Sequence, residues 1–158
     1  MARERFDHQA IEKAAQEKWE AVKLYERDLS AAKDPYYLLF EFPYPSGDLH
    51  ICHLYAFALT DIFARFQSMK GKDVLFPIGF DAFGLPAENA AMKYGKDPKA
   101  WTYQNMETMR TQLRTMGTSV DWSKQVVTCD PEYYRWTQWL FAQLYAKGLA
   151  ERKEAPVK

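Results

Sequence analysis

The sequence predicts an α/β domain in which short parallel strands are flanked by helices. Residues 37–42 and 74–76 form two short apolar runs that are bounded by turn residues, as strands are. Between them lies a long helical pattern that ends at Gly71, a residue type favoured just after a helix. A strand, a helix and a strand at this spacing indicate a right-handed βαβ unit with parallel strands.

Composition limits the class of protein. The 158 residues suffice for one domain with a core, and 47% hydrophobic residues exclude a disordered chain. Basic and acidic residues number 21 each, so the chain lacks the net positive charge that would indicate nucleic-acid binding. The cysteines, Cys52 and Cys129, lie far apart, which predicts a reduced, cytoplasmic protein without a disulfide framework. No apolar run approaches membrane-spanning length, so we expect no membrane partner.

Apolar residues three to four positions apart predict two helices in the first half of the chain. Asp7 begins an N-terminal helix, which a polar connector at residues 30–35 separates from the first strand. Its apolar stripe consists of Ile11, Ala15, Trp19 and Val22. The second helix covers about residues 49–69, with Ser46 or Asp48 as its cap. Its expected buried stripe consists of Leu54, Ala58, Ile62 and Phe66.

Three further helices are predicted after the second strand. A short helix follows Pro86, and Asp-Pro pairs at residues 97–98 and 130–131 each supply a cap and a first-turn proline. The last two helices end at Gly117 and Gly148. Their methionines and tryptophans recur at core spacing, so we interpret them as core rather than as a platform that stacks nucleic-acid bases. This set includes Trp101, Met106, Met109, Met116, Trp136 and Trp139.

A turn rich in proline and glycine, residues 43–47, separates the first strand from the second helix. It places His50 and His53, three residues apart on one helix face, beyond the carboxyl end of the strand. The N–H groups of a helix start favour an anion, usually phosphate. The histidines can instead be ordinary surface residues.

A zinc site is a further interpretation of the same segment. His50, Cys52 and His53, with Cys129 as a distant fourth ligand, are suitable residue types for zinc. Their spacing does not follow structural zinc patterns, however, and we predict no bound metal in this chain.

Two sequence blocks resemble class I aminoacyl-tRNA synthetases. FPYPSG at residues 42–47 precedes the His-x-x-His pattern, GFDAFGLPAENAA occupies residues 79–91, and together they are most similar to leucyl-tRNA synthetases. Residues 121–123 and 148–157 also look like that family. The resemblance implies the first half of a class I synthetase Rossmann-like nucleotide-binding fold in a single domain. Residues 1–35 would be an N-terminal helix and connector, and residues 36–158 the first half of the catalytic domain.

The resemblance also implies an activity, namely ATP-dependent activation of leucine to leucyl-adenylate for transfer to tRNA(Leu). In this family the residues that match His50 and His53 contact the ATP phosphates, and Mg²⁺ accompanies ATP as substrate. Pro43, Gly47 and Cys52 would complete the ATP site.

The same resemblance assigns a leucine site. Asp81 would pair with the ammonium group of the amino acid, while Phe42 and Tyr44 would line the pocket. From the residues alone, Asp81 can equally cap the next turn, and Tyr44 can be a packed aromatic.

The sequence departs from the family in two ways. Cys52 stands where the family has a glycine against the adenine ring, so we hypothesise weakened nucleotide affinity. The Lys-Met-Ser-Lys-Ser loop, the editing insertion and the anticodon-binding domain are not in these residues. We therefore expect an amino-terminal portion that is incomplete without a complementary C-terminal chain. The alternative is a non-catalytic nucleotide- or partner-binding module with the same fold.

Overall fold

The computed structural model describes residues 6–154 and residue 156. Parts of the predicted terminal segments, residues 1–5, 155, 157 and 158, lie outside the described residues. The described chain contains both helices and short strands. In order they are α1 (His8–Ala21), β1 (Pro35–Tyr37), α2 (Ile51–Met69), β2 (Asp73–Leu75), β3 (Pro77–Phe80), α3 (Leu85–Tyr94), α4 (Pro98–Thr115), β4 (Asp121–Val127) and α5 (Pro131–Ala146). The α/β class predicted from the sequence is confirmed.

The two strand pairs share the segment of residues 73–80. β1 pairs in parallel with β2, and β4 pairs in parallel with β3. Phe76, the single residue between β2 and β3, accepts a hydrogen bond at its carbonyl from the Asp121 backbone N–H at 2.7 Å. Because both pairs are parallel, the residues that follow β3 and β4 lie at the same edge.

The first strand begins earlier and is shorter than predicted. β1 contains only Pro35–Tyr37, although the Leu38 N–H still donates to the Leu75 carbonyl at 2.9 Å. Beyond that point the predicted strand runs toward Pro43 and Pro45, which have no N–H to continue a ladder.

The sequence also gave no indication of β3 or β4 as strands. β2 ends at Leu75, and after Phe76 the extended chain resumes as β3, which begins at Pro77. β4 has polar residues in its middle, and its pairing with β3 contains an irregularity between Pro77 and Gly79, so strict alternation is missing.

The core lies between this segment and helices α2 and α4. The hydrophobic side chains that are at most 1% exposed are Phe57, Phe76, Ile78, Phe80, Met106, Met109, Leu113 and Val120. The methionines of α4 are therefore core residues, as predicted. Asp97 caps α4 by accepting a hydrogen bond from the Ala100 N–H at 2.8 Å, which also agrees with the sequence.

The buried face of α2 differs from the predicted one. Ile62 and Phe66 are 64% and 52% exposed, whereas Phe57, Ala64 and Gln67 are buried. Apolar residues occur around most of this helix, so its sequence does not define a single inward stripe.

The tryptophans of α5 are exposed, so their assignment to the core is wrong. Trp136 and Trp139 are 61% and 57% exposed, and no residue of this helix is buried. Helical spacing identifies an apolar face but not whether another element covers it.

Arg65 of α2 contacts both α1 and the loop that follows it. No residue of α1 is buried. The Arg65 guanidinium donates to Tyr25 Oη at 2.7 Å, to the Gly117 carbonyl at 2.6 Å and to Asp61 at 2.8 Å. The same group lies 5.2 Å from the centre of the Trp19 ring. The bond to Tyr25 holds the loop after α1, while α1 itself is held by the contact of Arg65 with Trp19 and by the hydrogen bonds of Gln16 with Thr115 and of Glu20 with Arg114. The predicted stripe residue Ile11 of α1 is exposed.

Candidate active site

A cleft of about 430 Å³ opens beyond the ends of β3 and β4. Five aromatic rings line it: Phe42, Tyr44, Phe83, Tyr133 and Tyr134. Two carboxylates, Glu41 and Asp81, share the lining. Tyr44, Phe83 and Asp81 also line an adjoining cleft of about 310 Å³ at the start of α3. An apolar wall with carboxylates suits a small molecule that carries both an apolar and a cationic group.

Asp81 is held from both sides at this edge. Its backbone N–H donates to the Pro43 carbonyl at 3.1 Å, and its Oδ1 accepts a hydrogen bond from Thr128 Oγ1 at 3.2 Å. Gly84 is the N-cap of α3, so the helix that follows does not use the Asp81 carboxylate as its cap. The structure therefore places Asp81 at the cleft together with Phe42 and Tyr44.

Phe42 reaches the cleft because Gly79 has no side chain. A Cβ at Gly79 would lie 2.6 Å from two Phe42 ring atoms and 2.7 Å from the Val126 carbonyl oxygen. Backbone on one side and an aromatic ring on the other leave no room for it. A glycine inside a strand is the sequence signal for such a close approach.

Two polar residues of α4 anchor the turn that precedes α2. Asn105 Nδ2 donates to the Pro45 carbonyl at 3.0 Å, and the Leu49 N–H donates to Gln112 Oε1 at 2.9 Å. Gln112 Nε2 also donates to Asp48 at 3.0 Å. Sequence reasoning missed Asn105 and Gln112, although polar residues within an apolar helix stripe are a signal that they have partners.

The expected cap of α2 is wrong, because His50 is the N-cap rather than Ser46 or Asp48. The Asp48 carboxylate is engaged by Gln112 instead. The His50 carbonyl accepts from the His53 N–H at 2.9 Å, and the His50 N–H donates to His53 Nδ1 at 3.2 Å. With Nδ1 as acceptor, neutral His53 carries its proton on Nε2 and can donate it to a ligand.

The two histidines lie together, with ring centroids 3.9 Å apart, but neither lines the clefts around Asp81. Burial and the neighbouring His50 lower the pKa of His53, and the negative charge of Glu41 opposes that shift. Glu41 also lines the larger cleft. Glu41 therefore contributes negative charge both to the cleft and to the surroundings of His53.

Of the remaining predicted ATP-site residues, Pro43 and Gly47 lie in the turn before α2, and Cys52 lies in the first turn of that helix. Pro43 is buried, Cys52 is exposed, and the space around Gly47 is open enough that a Cβ would meet no atom within 4 Å. The hydrogen bond from the Asp81 N–H to the Pro43 carbonyl holds Pro43 beside Asp81.

The first turn of α5 forms one wall of the cleft. Tyr103 Oη donates to Asp130 Oδ1 at 2.5 Å, which ties the start of α5 to α4 and raises the pKa of Tyr103. Tyr134 packs against Phe83 with ring centroids 5.9 Å apart. Tyr133 and Tyr134 have no site role in the sequence analysis, because only the fold brings α5 to this edge.

The described residues do not form the ligand cluster that the zinc interpretation requires. Cys129 Sγ lies 3.9 Å from the Tyr103 hydroxyl, whereas Cys52 is exposed at the start of α2. Across residues 6–154 and 156, no three His, Cys, Asp or Glu side chains are arranged to hold a metal ion.

None of the described helices has the length and apolar character that a membrane crossing requires.

Residues 14–158 match the family of class I tRNA synthetases (I, L, M and V), and the chain belongs to that family. Among curated relatives, the leucine–tRNA ligase of Rubrobacter xylanophilus is 56% identical over 99% of this chain and 19% of its own length. The leucine–tRNA ligase of Symbiobacterium thermophilum is 52% identical over 99% of this chain and 18% of its own length. The chain therefore spans about a fifth of the length of these relatives.

Solved structures confirm the fold. The ternary complex of Agrobacterium radiobacter K84 agnB2 LeuRS, tRNA and LeuAMS matches 92% of this chain and 19% of its own, with a TM-score of 0.85 and 39% identity. Mycobacterium tuberculosis methionyl-tRNA synthetase bound by methionyl-adenylate matches 73% of this chain and 22% of its own, with a TM-score of 0.65 and 28% identity. The predicted similarity to leucyl-tRNA synthetases is confirmed.

We predict that His53 titrates below the ordinary imidazole pKa of 6.5. Because its pKa is lower in the folded state, the stability it contributes is complete above pH 6.5 and is lost as the pH falls through the folded value. Glu41→Gln removes the opposing charge, so the pKa of His53 should fall further. NMR titration of the imidazole resonances measures both values.

Glu12→Gln, an exposed change on α1, is the matched control and should leave the pKa of His53 unchanged. A His53 pKa at or above 6.5, or one that does not respond to Glu41→Gln, contradicts this description of the site.

Proposed function

We propose that this chain supplies the leucine-activating half of a leucine–tRNA ligase, in which leucine and ATP form leucyl-adenylate and pyrophosphate. The observation that carries the proposal is the Asp81 carboxylate, which is fixed by Pro43 and Thr128 at the wall of an aromatic cleft. Family membership and similarity to leucine–tRNA ligases support it.

The cleft fits the two ends of leucine. Its ammonium group would pair with Asp81, because a charge-assisted hydrogen bond to a carboxylate is the strongest interaction available to an amine. Phe42 and Tyr44 would contact the isobutyl group, which gains free energy from leaving water. The second carboxylate, Glu41, reinforces the preference for a cation.

The start of α2 fits the phosphates of ATP. Its first-turn N–H groups and the positive end of the helix dipole attract an anion, and His53 Nε2–H is available as a further donor. His50 and His53 would serve as the catalytic pair, with Pro43, Gly47 and Cys52 around the nucleotide. Mg²⁺ enters as part of the substrate, held mainly by the phosphates.

The reaction needs no covalent bond to the protein. A carboxylate oxygen of leucine attacks the α-phosphorus, the bond from that phosphorus to the bridging oxygen breaks, and pyrophosphate leaves with the electron pair. Negative charge develops on the non-bridging oxygens. Fixed donors such as His50, His53 and the helix N–H groups stabilise that charge without having to reorganise.

Transfer of leucine to tRNA(Leu) is proposed to require a complementary chain. The sequence has no net positive charge and no Lys-Met-Ser-Lys-Ser loop, whose lysine in this family steadies pyrophosphate. We propose residues 36–158 as the first half of the catalytic domain, residues 1–35 as its N-terminal helix and connector, and the cytoplasm as its location.

Replacing the carboxylate tests the leucine site. In leucine-dependent ATP–pyrophosphate exchange, Asp81→Asn should raise the KM for leucine at least about tenfold, because a neutral amide cannot pair with the ammonium group. The KM for ATP should stay within about twofold, since the variant still accepts from Thr128. Asp28→Asn, an exposed residue between α1 and β1, is the control and should behave as wild type.

The same assay separates the two candidate functions. A leucine-dependent signal from the purified chain, or only after addition of the C-terminal part of a leucine–tRNA ligase, supports activation. No signal in either case contradicts the proposal and favours a binding module. An unchanged leucine KM in Asp81→Asn contradicts the role of that carboxylate.

Cys52 gives a separate prediction about the nucleotide. Cys52→Gly should tighten ATP binding about three- to tenfold, because it removes a Cβ and a sulfur beside the adenine position. Cys52→Ser keeps the Cβ and should resemble wild type. Isothermal titration with ATP measures each Kd, and equal values for wild type and Cys52→Gly would refute the hypothesis.

A further inference from the structure

Thr128, the first residue after β4, contacts three consecutive residues at the edge of β3. Its N–H donates to the Phe80 carbonyl at 3.1 Å. Its hydroxyl donates to Asp81 Oδ1 at 3.2 Å and accepts from the Ala82 N–H at 2.8 Å. Thr128 itself lines the cleft.

We infer that Thr128 is a positioning residue for amino-acid recognition, which sets the orientation of the Asp81 carboxylate toward the ammonium group of leucine. This inference rests on the proposed function. A hydroxyl has one proton and two lone pairs. The Ala82 N–H donates to one lone pair of the Thr128 hydroxyl. The hydroxyl donates its single proton to Asp81.

The surroundings make this arrangement rigid. Phe80 is fully buried, and Ala82 and Val127 are 7% and 9% exposed, so the backbone on both sides of the pair is packed. A β-branched side chain also has a restricted χ1 angle. The carboxylate oxygen Oδ1 is thus held by the hydroxyl, and Oδ2 remains available for the ammonium group.

Valine and serine substitutions at Thr128 distinguish a role in hydrogen bonding from a role in packing. Valine keeps the branch but loses the proton that orients Asp81 and the acceptor that satisfies Ala82. Serine keeps both. A role in orientation therefore predicts that serine, but not valine, preserves recognition of the ammonium group, whereas a role in packing predicts the reverse.

The test compares ligands with and without an ammonium group. For Thr128→Val, the leucine KM in pyrophosphate exchange should rise about five- to twentyfold, while the KM for ATP stays within about twofold. Thr128→Ser should stay within about threefold of wild type for both. Thr111→Val, which removes an exposed hydroxyl of α4 that bonds only within its own helix, is the matched control.

Binding of leucinol and of 2-hydroxy-4-methylpentanoate, measured by titration calorimetry, supplies the second readout. Leucinol retains the ammonium group, so Thr128→Val should weaken its binding. The hydroxy acid has a neutral hydroxyl in place of the ammonium group and forms no ion pair with Asp81, so its affinity should change much less than that of leucinol. Faster hydrogen exchange at the Ala82 amide in Thr128→Val should accompany the effect. Unchanged exchange at the other protected amides shows that the variant is otherwise folded.

Each other outcome overturns the inference in a recognisable way. Unchanged leucine KM in Thr128→Val, equal losses for both ligands, or an equal defect in Thr128→Ser contradicts the positioning role while the proposed function stands. A wild-type chain that shows no leucine-dependent signal, alone or with its complement, contradicts the proposed function and this inference together.

Discussion

Parallel pairing on both sides of residues 73–80 is the constraint on which the rest of the structure depends. β1 lies against the first part of this segment and β4 against the last part, both in the same direction. The segments that follow β1, β3 and β4 therefore meet at one edge, where the Pro43 carbonyl and the Thr128 hydroxyl hold residues 81 and 82. An antiparallel pairing would send one of these segments to the opposite edge and separate Asp81 from its supports.

The site divides its electrostatic functions along that edge. Asp81 and Glu41 make the aromatic cleft attractive to a cation, while the start of α2 and the histidine pair favour an anion. An amino acid and a nucleoside triphosphate have these opposite requirements. Glu41 belongs to both regions, because it lines the cleft and opposes the lowered pKa of His53. The chain as a whole carries no net charge, so the selectivity comes from local placement rather than from an overall field.

The sequence predicted the elements whose signals are local. The Asp97 cap, the α4 methionines and the βαβ unit follow from residue spacing and from local cap and turn residues, whereas the grouping of Phe42, Tyr44 and Asp81 is what the family resemblance implies. What it missed depends on tertiary partners. The inward stripe of α2 is ambiguous because α2 is apolar around most of its surface. Trp139 is exposed despite its core-like spacing, because spacing does not show what covers a helix. Thr128 and Tyr134 come from a strand and a helix that only the fold brings to the cleft.

Titration of the isotope-labelled chain with leucine, followed by the shifts of the backbone amide resonances, tests the assignment of the cleft most directly. We predict saturable shifts that concentrate at residues 41–44, 80–83 and 128, with α1 unaffected. The largest shifts would contradict the assignment if they fell instead around the separate cavity of about 270 Å³ that Trp19 and Trp122 line beside α1, and so would the absence of any saturable shift.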